Sequence, residues 1–123
     1  RMPSRQSPKK IRFLLAELEN QLGNGVTEDK MVLEHVCPYH PEQGWHDYFG
    51  EGATDVYDRL GNMVLLEKDD LKRADFATKK QAYRDSGLAL AAKVAEFEDW
   101  NAASVNHYQA WLAEQAAKTW RVD

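Results

Sequence analysis

Met31-Val32-Leu33-Glu34-His35-Val36-Cys37-Pro38 and, further on, Leu60-Gly61-Asn62-Met63-Val64-Leu65-Leu66 are the two stretches whose reading decides the fold. Met31 to Val36 is short and β-favouring, and Pro38, which has no N–H to give to a ladder, stops it. Met63 to Leu66 is an apolar run too short for a helix, so it reads as a second strand. Between them, Tyr39 to Arg59 is rich in Gly, Asp, His and aromatic residues and has no period. That is a long loop, of a kind that often carries function.

Working outward, Ile11, Leu14, Leu15, Leu18 and Leu22 recur at helical spacing, which predicts a helix from about Ser7 to Leu22 ended by Gly23-Asn24-Gly25. After the second strand, Asp69 or Asp70 is placed to cap a helix that reaches about Tyr83 and ends at Ser86-Gly87. Two more helices are predicted, over about Leu88–Glu98 and Ala102–Trp120. The last carries Val105, Tyr108, Leu112, Ala116 and Trp120 on one face, a stripe that suits a core. The order is helix, strand, loop, strand, helix, helix, helix, without internal repeats. It predicts a mostly helical α+β domain, in which a hairpin backed by one helix (a ββα unit) is packed against additional helices.

With 123 residues, 43% of them hydrophobic, the chain is long enough for one core and not for two. No apolar run approaches the roughly 20 residues that cross a bilayer, so no membrane partner is expected. The first twelve residues carry five basic groups and no acidic ones, unlike a secretory signal. Cys37 is the only cysteine, so no disulfide forms within the chain, and a reducing cytoplasm is the expected compartment. Residues 1–10 are Pro/Ser/Lys-rich and read as a linker, leaving 11–123 as the domain proper, cut from the C-terminal part of a longer protein. The net charge of −4 conceals a pattern: residues 27–58 hold eight acidic groups, whereas residues 68–84 hold Lys68, Lys72, Arg73, Lys79, Lys80 and Arg84 against three Asp. A basic stretch beside an acidic one suits a site where phosphates meet a cation, although a solvated helix of mixed charge has the same composition.

Three places in the chain are suited to chemistry. In Glu34-His35, an imidazole that accepts a proton near neutral pH sits beside a carboxylate suited to a hard cation. Strand neighbours point to opposite faces, so one shared site would need a strand end or a distortion, which Pro38 favours. The plainer reading is a strand-end His bonded to a carbonyl. Asn62, just before the second strand, is suited to satisfying local backbone groups. Acidic residues at Glu67, Asp69 and Asp70 suit a helix start with or without a metal. A separate possibility is structural zinc, since His35, Cys37, His40 and His46 lie within twelve positions, although such sites are usually richer in cysteine.

Taken together, these motifs resemble a known family. Glu34-His35-Val36-Cys37-Pro38 is similar to its Glu-His-Ile-x-Pro signature, and Leu60-Gly61-Asn62-Met63-Val64-Leu65-Leu66 to its Leu-Gly-Asn-Leu-Thr-Leu-Leu. Phe76-Ala77-Thr78-Lys79-Lys80 with Tyr83 and Ser86, then Trp100 and the final helix, follow in the family's order. The resemblance is to the His-x-x-Pro nuclease domain at the C-terminus of GmrSD-type, modification-dependent restriction enzymes and related phage-defence proteins. It implies an HNH-like site that hydrolyses DNA phosphodiesters with one divalent cation, Mg²⁺ first, with Mn²⁺ or Ni²⁺ as alternatives. Carried over by position, His35 is the general base, Asn62 holds its loop and Glu34 is a metal ligand. Lys79, Lys80, Lys72 and Arg73 are then the expected DNA contacts. DNA and an N-terminal modification- or nucleotide-sensing domain are the implied partners. One departure stands out: between the Leu-Leu and the Phe, where the family carries a third signature Asn, this chain has none. Asp70, or Asp69, is the nearest substitute. If Leu71 takes the place instead, the domain is a degenerate module that binds DNA or a partner without cutting.

Overall fold

The hairpin expected from residues 31–38 and 60–66 is present in the computed structural model, which describes residues 7–38, 59–68, 71 and 74–119. Strand β1 (Val32–His35) runs antiparallel to β2 (Met63–Leu66), with Val32 opposite Leu66 and His35 opposite Met63. A two-stranded ribbon does not stand alone in water. All four residues of β2 are buried, and the helices around it provide the cover. These are α1 (Pro8–Gln21), α2 (Phe76–Asp85), α3 (Ala89–Val94) and α4 (Ala102–Thr119). The fold is thus α+β and mostly helical, in agreement with the pattern. No helix among the described residues is long and apolar enough to cross a membrane.

Local chemistry explains most boundaries. The Ser7 hydroxyl accepts the Lys10 N–H at 3.1 Å and Pro8 opens α1, both favoured at a helix start. The chain leaves α1 through Gly23 at φ 105°, a conformation that costs glycine little. Helix α2 begins later than expected. Its cap is Asp75 rather than Asp69 or Asp70, and the Asp75 carboxylate accepts the Thr78 N–H at 2.8 Å. That bond holds the Asp75 carboxyl below its ordinary pKa. The helix starts where its buried face, Phe76, Lys79 and Tyr83, starts.

Helix α3 is also shorter than the expected Leu88–Glu98. Past Val94 the bonds tighten to Glu96 N–H on Lys93 O and Phe97 N–H on Val94 O. The chain turns inward there to bury Trp100, whose ring meets Phe97 edge-on at 5.5 Å and Phe76 at 5.6 Å. Helix α4 matches its stripe: Val105, Tyr108 and Leu112 are buried and Ala116 packs on the core. Trp120 lies outside the described residues, as do Trp45 and Tyr39 to Asp58 of the expected loop.

One buried charge organises the helical layer. Glu19 on α1 is fully buried and accepts the backbone N–H groups of Ala89 and Leu90, the latter at 3.0 Å, at the start of α3. It also accepts the Asn24 side-chain amide. The carboxylate therefore caps one helix from another and ties α1 to α3. Glu19→Ala is expected to lower unfolding free energy by about 1–3 kcal/mol, the cost of leaving buried donors unpaired. Glu19→Gln, which keeps an acceptor, should lose less. Urea denaturation of the three proteins measures both, and an alanine variant as stable as wild type would refute the cap.

Candidate functional site

His35 is the last residue of β1, so the backbone just beyond it, Val36 to Pro38, decides where its imidazole is carried. That backbone is gripped from two sides. Asn62, fully buried at the end of a short 3₁₀ turn (Leu60–Asn62), accepts the Val36 N–H on its own carbonyl at 2.8 Å. Its side-chain Oδ1 accepts the Cys37 N–H at 2.8 Å and the Trp100 indole N–H at 3.0 Å, while Nδ2 donates to Cys37 O at 2.9 Å. Two donors facing Oδ1 and one acceptor facing Nδ2 allow only one orientation of the amide. Asn62 thus bonds the backbone of Val36 and Cys37, the two residues that follow His35.

The turn carrying Asn62 is itself fixed by α4. The Gly61 N–H donates to Gln109 Oε1 at 3.0 Å, and Arg59 Nε donates to the same oxygen at 3.3 Å. A β-carbon at Gly61 would sit 2.4 Å from Val105 O and 2.7 Å from Gln109 Cβ, so only glycine permits this approach. The Tyr108 hydroxyl donates to Met63 O at 3.0 Å, opposite His35 in the ladder.

On the other side stands α2, and here two expectations are corrected. Lys79, expected among the DNA contacts, has no exposed surface. Its ammonium donates to His35 O and Val36 O, each at 2.9 Å, and lies 3.2 Å from Glu34 Oε2. An ammonium enclosed in this way is not offered to a phosphate. Glu34, expected as a metal ligand, is buried at 5% exposure, and its Oε2 also accepts the Tyr83 hydroxyl at 2.8 Å. A carboxylate facing an ammonium does not fit a cation ligand, because the two cations would repel each other at close range. Strand alternation gives the same answer, since it sends Glu34 to the α2 side and His35 to the opposite face. Burial, together with the Glu34 charge and hydrogen bond, raises the Tyr83 phenol well above its ordinary pKa and keeps it a donor.

His35 itself is half-buried. Lys80, the next residue of the basic stretch, is partly exposed, with its ammonium 5.5 Å from the Phe76 ring centroid. Asp70, Asp69, Lys72 and Arg73 lie outside the described residues, and Leu71 packs against the core. Of the residues in the zinc alternative, Cys37 is buried, its thiol pushed up to about 12 by that burial, and its Sγ–H donates to Pro38 O at 3.7 Å. His40 and His46 lie outside the described residues.

Sequence reasoning missed the parts played by Lys79, Tyr83 and Trp100. A signal existed for the first two. Phe76, Lys79 and Tyr83 fall at i, i+3 and i+7, so the lysine shares a helix face with two aromatics that seek the core. For Trp100, the clue is that a buried indole N–H needs an acceptor.

No curated protein matches the chain. Residues 2–115 match the family described as GmrSD restriction endonucleases, C-terminal domain. Membership implies a restriction-endonuclease type of role, and a C-terminal place in such enzymes suggests a preceding domain and a DNA substrate. The match takes in both strands and every helix described except the last few residues of α4, and the chain belongs to the family of C-terminal domains of GmrSD restriction endonucleases.

Proposed function

We propose that this domain is an HNH-type endonuclease that hydrolyses DNA phosphodiester bonds, with His35 as general base, in the restriction of modified or foreign DNA. The observation that carries the reading is the double grip of Asn62 on the backbone immediately after His35. A buried amide spent on fixing a half-exposed strand-end histidine is what a positioned base requires. In this reading the neutral imidazole takes a proton from water as the water oxygen attacks phosphorus. The bond to the departing sugar oxygen breaks on the opposite side, and that oxygen leaves with the electron pair and takes a proton from solvent.

The cofactor proposed from the family is a divalent cation, Mg²⁺ first, with Mn²⁺ or Ni²⁺ as alternatives. Such a cation stabilises charge developing on the phosphate. Glu34 does not fit as its ligand, so Asp70 is the residue proposed to hold it. Lys80, Lys72 and Arg73 are the proposed DNA contacts. A preceding domain that senses base modification or a nucleotide is the proposed partner.

Supercoiled plasmid incubated with each of the three cations tests the chemistry. Wild type should nick or linearise it, whereas His35→Ala should lose activity by at least about a hundredfold while melting and binding DNA as wild type does. A wild type that binds plasmid but cuts it with none of the cations would establish the degenerate DNA-binding module instead.

The DNA path is tested separately. Neutralising Lys72, Arg73 and Lys80 together should flatten the plot of log affinity against log salt, by about 0.9 for each phosphate that is no longer neutralised. An unchanged slope, measured by fluorescence anisotropy on a short duplex, would move the path to another surface.

A further inference from the structure

We propose that Lys79, paired with Glu34, is a positioning residue. Its buried ammonium clamps the carbonyls of His35 and Val36 and thereby sets the direction in which the His35 imidazole is presented. The inference rests on the reading of His35 as the base and assigns a second support to that base.

The geometry is unusual in its economy of partners. Three consecutive carbonyls, those of His35, Val36 and Cys37, are all met by buried side-chain donors: Lys79 Nζ for the first two and Asn62 Nδ2 for the third. The N–H groups of Val36 and Cys37 both go to Asn62. The peptide planes on the C-terminal side of His35 are therefore held through oxygen by α2 and through nitrogen by the Asn62 turn. Turning either plane would break bonds on both sides. With those planes held, the Cα–Cβ direction of His35 is tied to the hairpin and to α2.

Stability alone is a poor reason for this arrangement. Replacing a buried ion pair by apolar side chains of similar volume is often neutral or stabilising, so a leucine or methionine on the Phe76–Tyr83 face would serve the core as well. Only a long cationic side chain gives donors for both carbonyls while lying against a carboxylate. Glu34 in turn faces the ammonium at 3.2 Å, and the Tyr83 hydroxyl holds that carboxylate in place. Lys79 thus acts on His35 through the backbone and touches no substrate.

The test compares wild type, Lys79→Met and the double variant Lys79→Met/Glu34→Gln. The single variant leaves Glu34 charged and unmatched by its ammonium, and should melt well below wild type. The double variant removes both charges and should recover most of that loss. Its kcat on plasmid should nevertheless stay down by about tenfold to a hundredfold, with KM unchanged, since misplacing a reacting group costs rate rather than binding. A refolded double variant that cuts with the wild-type kcat overturns the proposal.

If wild type cuts nothing, the nuclease reading fails, and the clamp is judged on amide hydrogen exchange. Val36 and Cys37 should then exchange at least about tenfold faster in the double variant while Leu65 does not change; equal exchange at all three overturns it. If neither variant folds, wild type decides by NMR. A slowly exchanging Lys79 ammonium with couplings across hydrogen bonds to the carbonyl carbons of residues 35 and 36 supports the clamp, and their absence overturns it.

Discussion

The hydrogen bonds of Asn62 join the two strands of the hairpin to each other and to the segment between α3 and α4. Through its main chain it ends the turn that starts β2. Through its amide it holds the chain leaving β1 and receives the indole of Trp100, which arrives from the segment between α3 and α4. The residue is fully buried, so none of these bonds competes with water, and removal of a partner would leave a desolvated polar group without compensation. The requirement extends outward. Trp100 must be delivered to the core, which shortens α3, and Gly61 must stay without a side chain so that α4 can approach.

Among the described residues two carboxylates are buried, and each is placed against donors supplied by another element. Glu19 accepts the first N–H groups of α3, and Glu34 accepts the Tyr83 hydroxyl and faces Lys79. Buried charges contribute little to net stability unless well paired, but they discriminate strongly between correct and incorrect packing. In this small domain they specify that α1 meets the start of α3 and that β1 meets α2. Tyr83 and Tyr108, both raised well above the ordinary phenol range chiefly by burial, stay protonated as donors to Glu34 and to the Met63 carbonyl.

The consequence for function is a separation of tasks along the sequence Glu34-His35-Val36-Cys37. Glu34 faces inward to the interior ion pair, Val36 and Cys37 are buried with their backbone groups bonded, and His35 alone of the four keeps partial access to solvent. A motif that looks in one dimension like a paired acid and base is divided in three dimensions into an interior ion pair and a half-buried imidazole. The sole cysteine belongs to the support, its thiol buried and hard to ionise.

The sequence by itself determined the elements and the family. Short β-favouring runs ended by Pro38 and Leu66, a Ser7-Pro8 helix start, glycines past helix ends and an apolar stripe on α4 act over a few residues. Local propensity and capping can therefore be read without knowing the neighbours. The place of Asn62 in the turn before β2 was legible in the same way, but its partners Val36, Cys37 and Trp100 lie 25 or more residues away in sequence and reach it only through the fold. What only the tertiary structure decided was the fate of charged groups. Lys79 and Glu34 are hydrophilic in isolation and suggest a phosphate contact and a metal ligand, yet 45 residues apart in sequence they meet in the interior. The preference of a charge for water or for an opposite charge depends on what packs beside it, and that partner is fixed only when α2 closes over the hairpin.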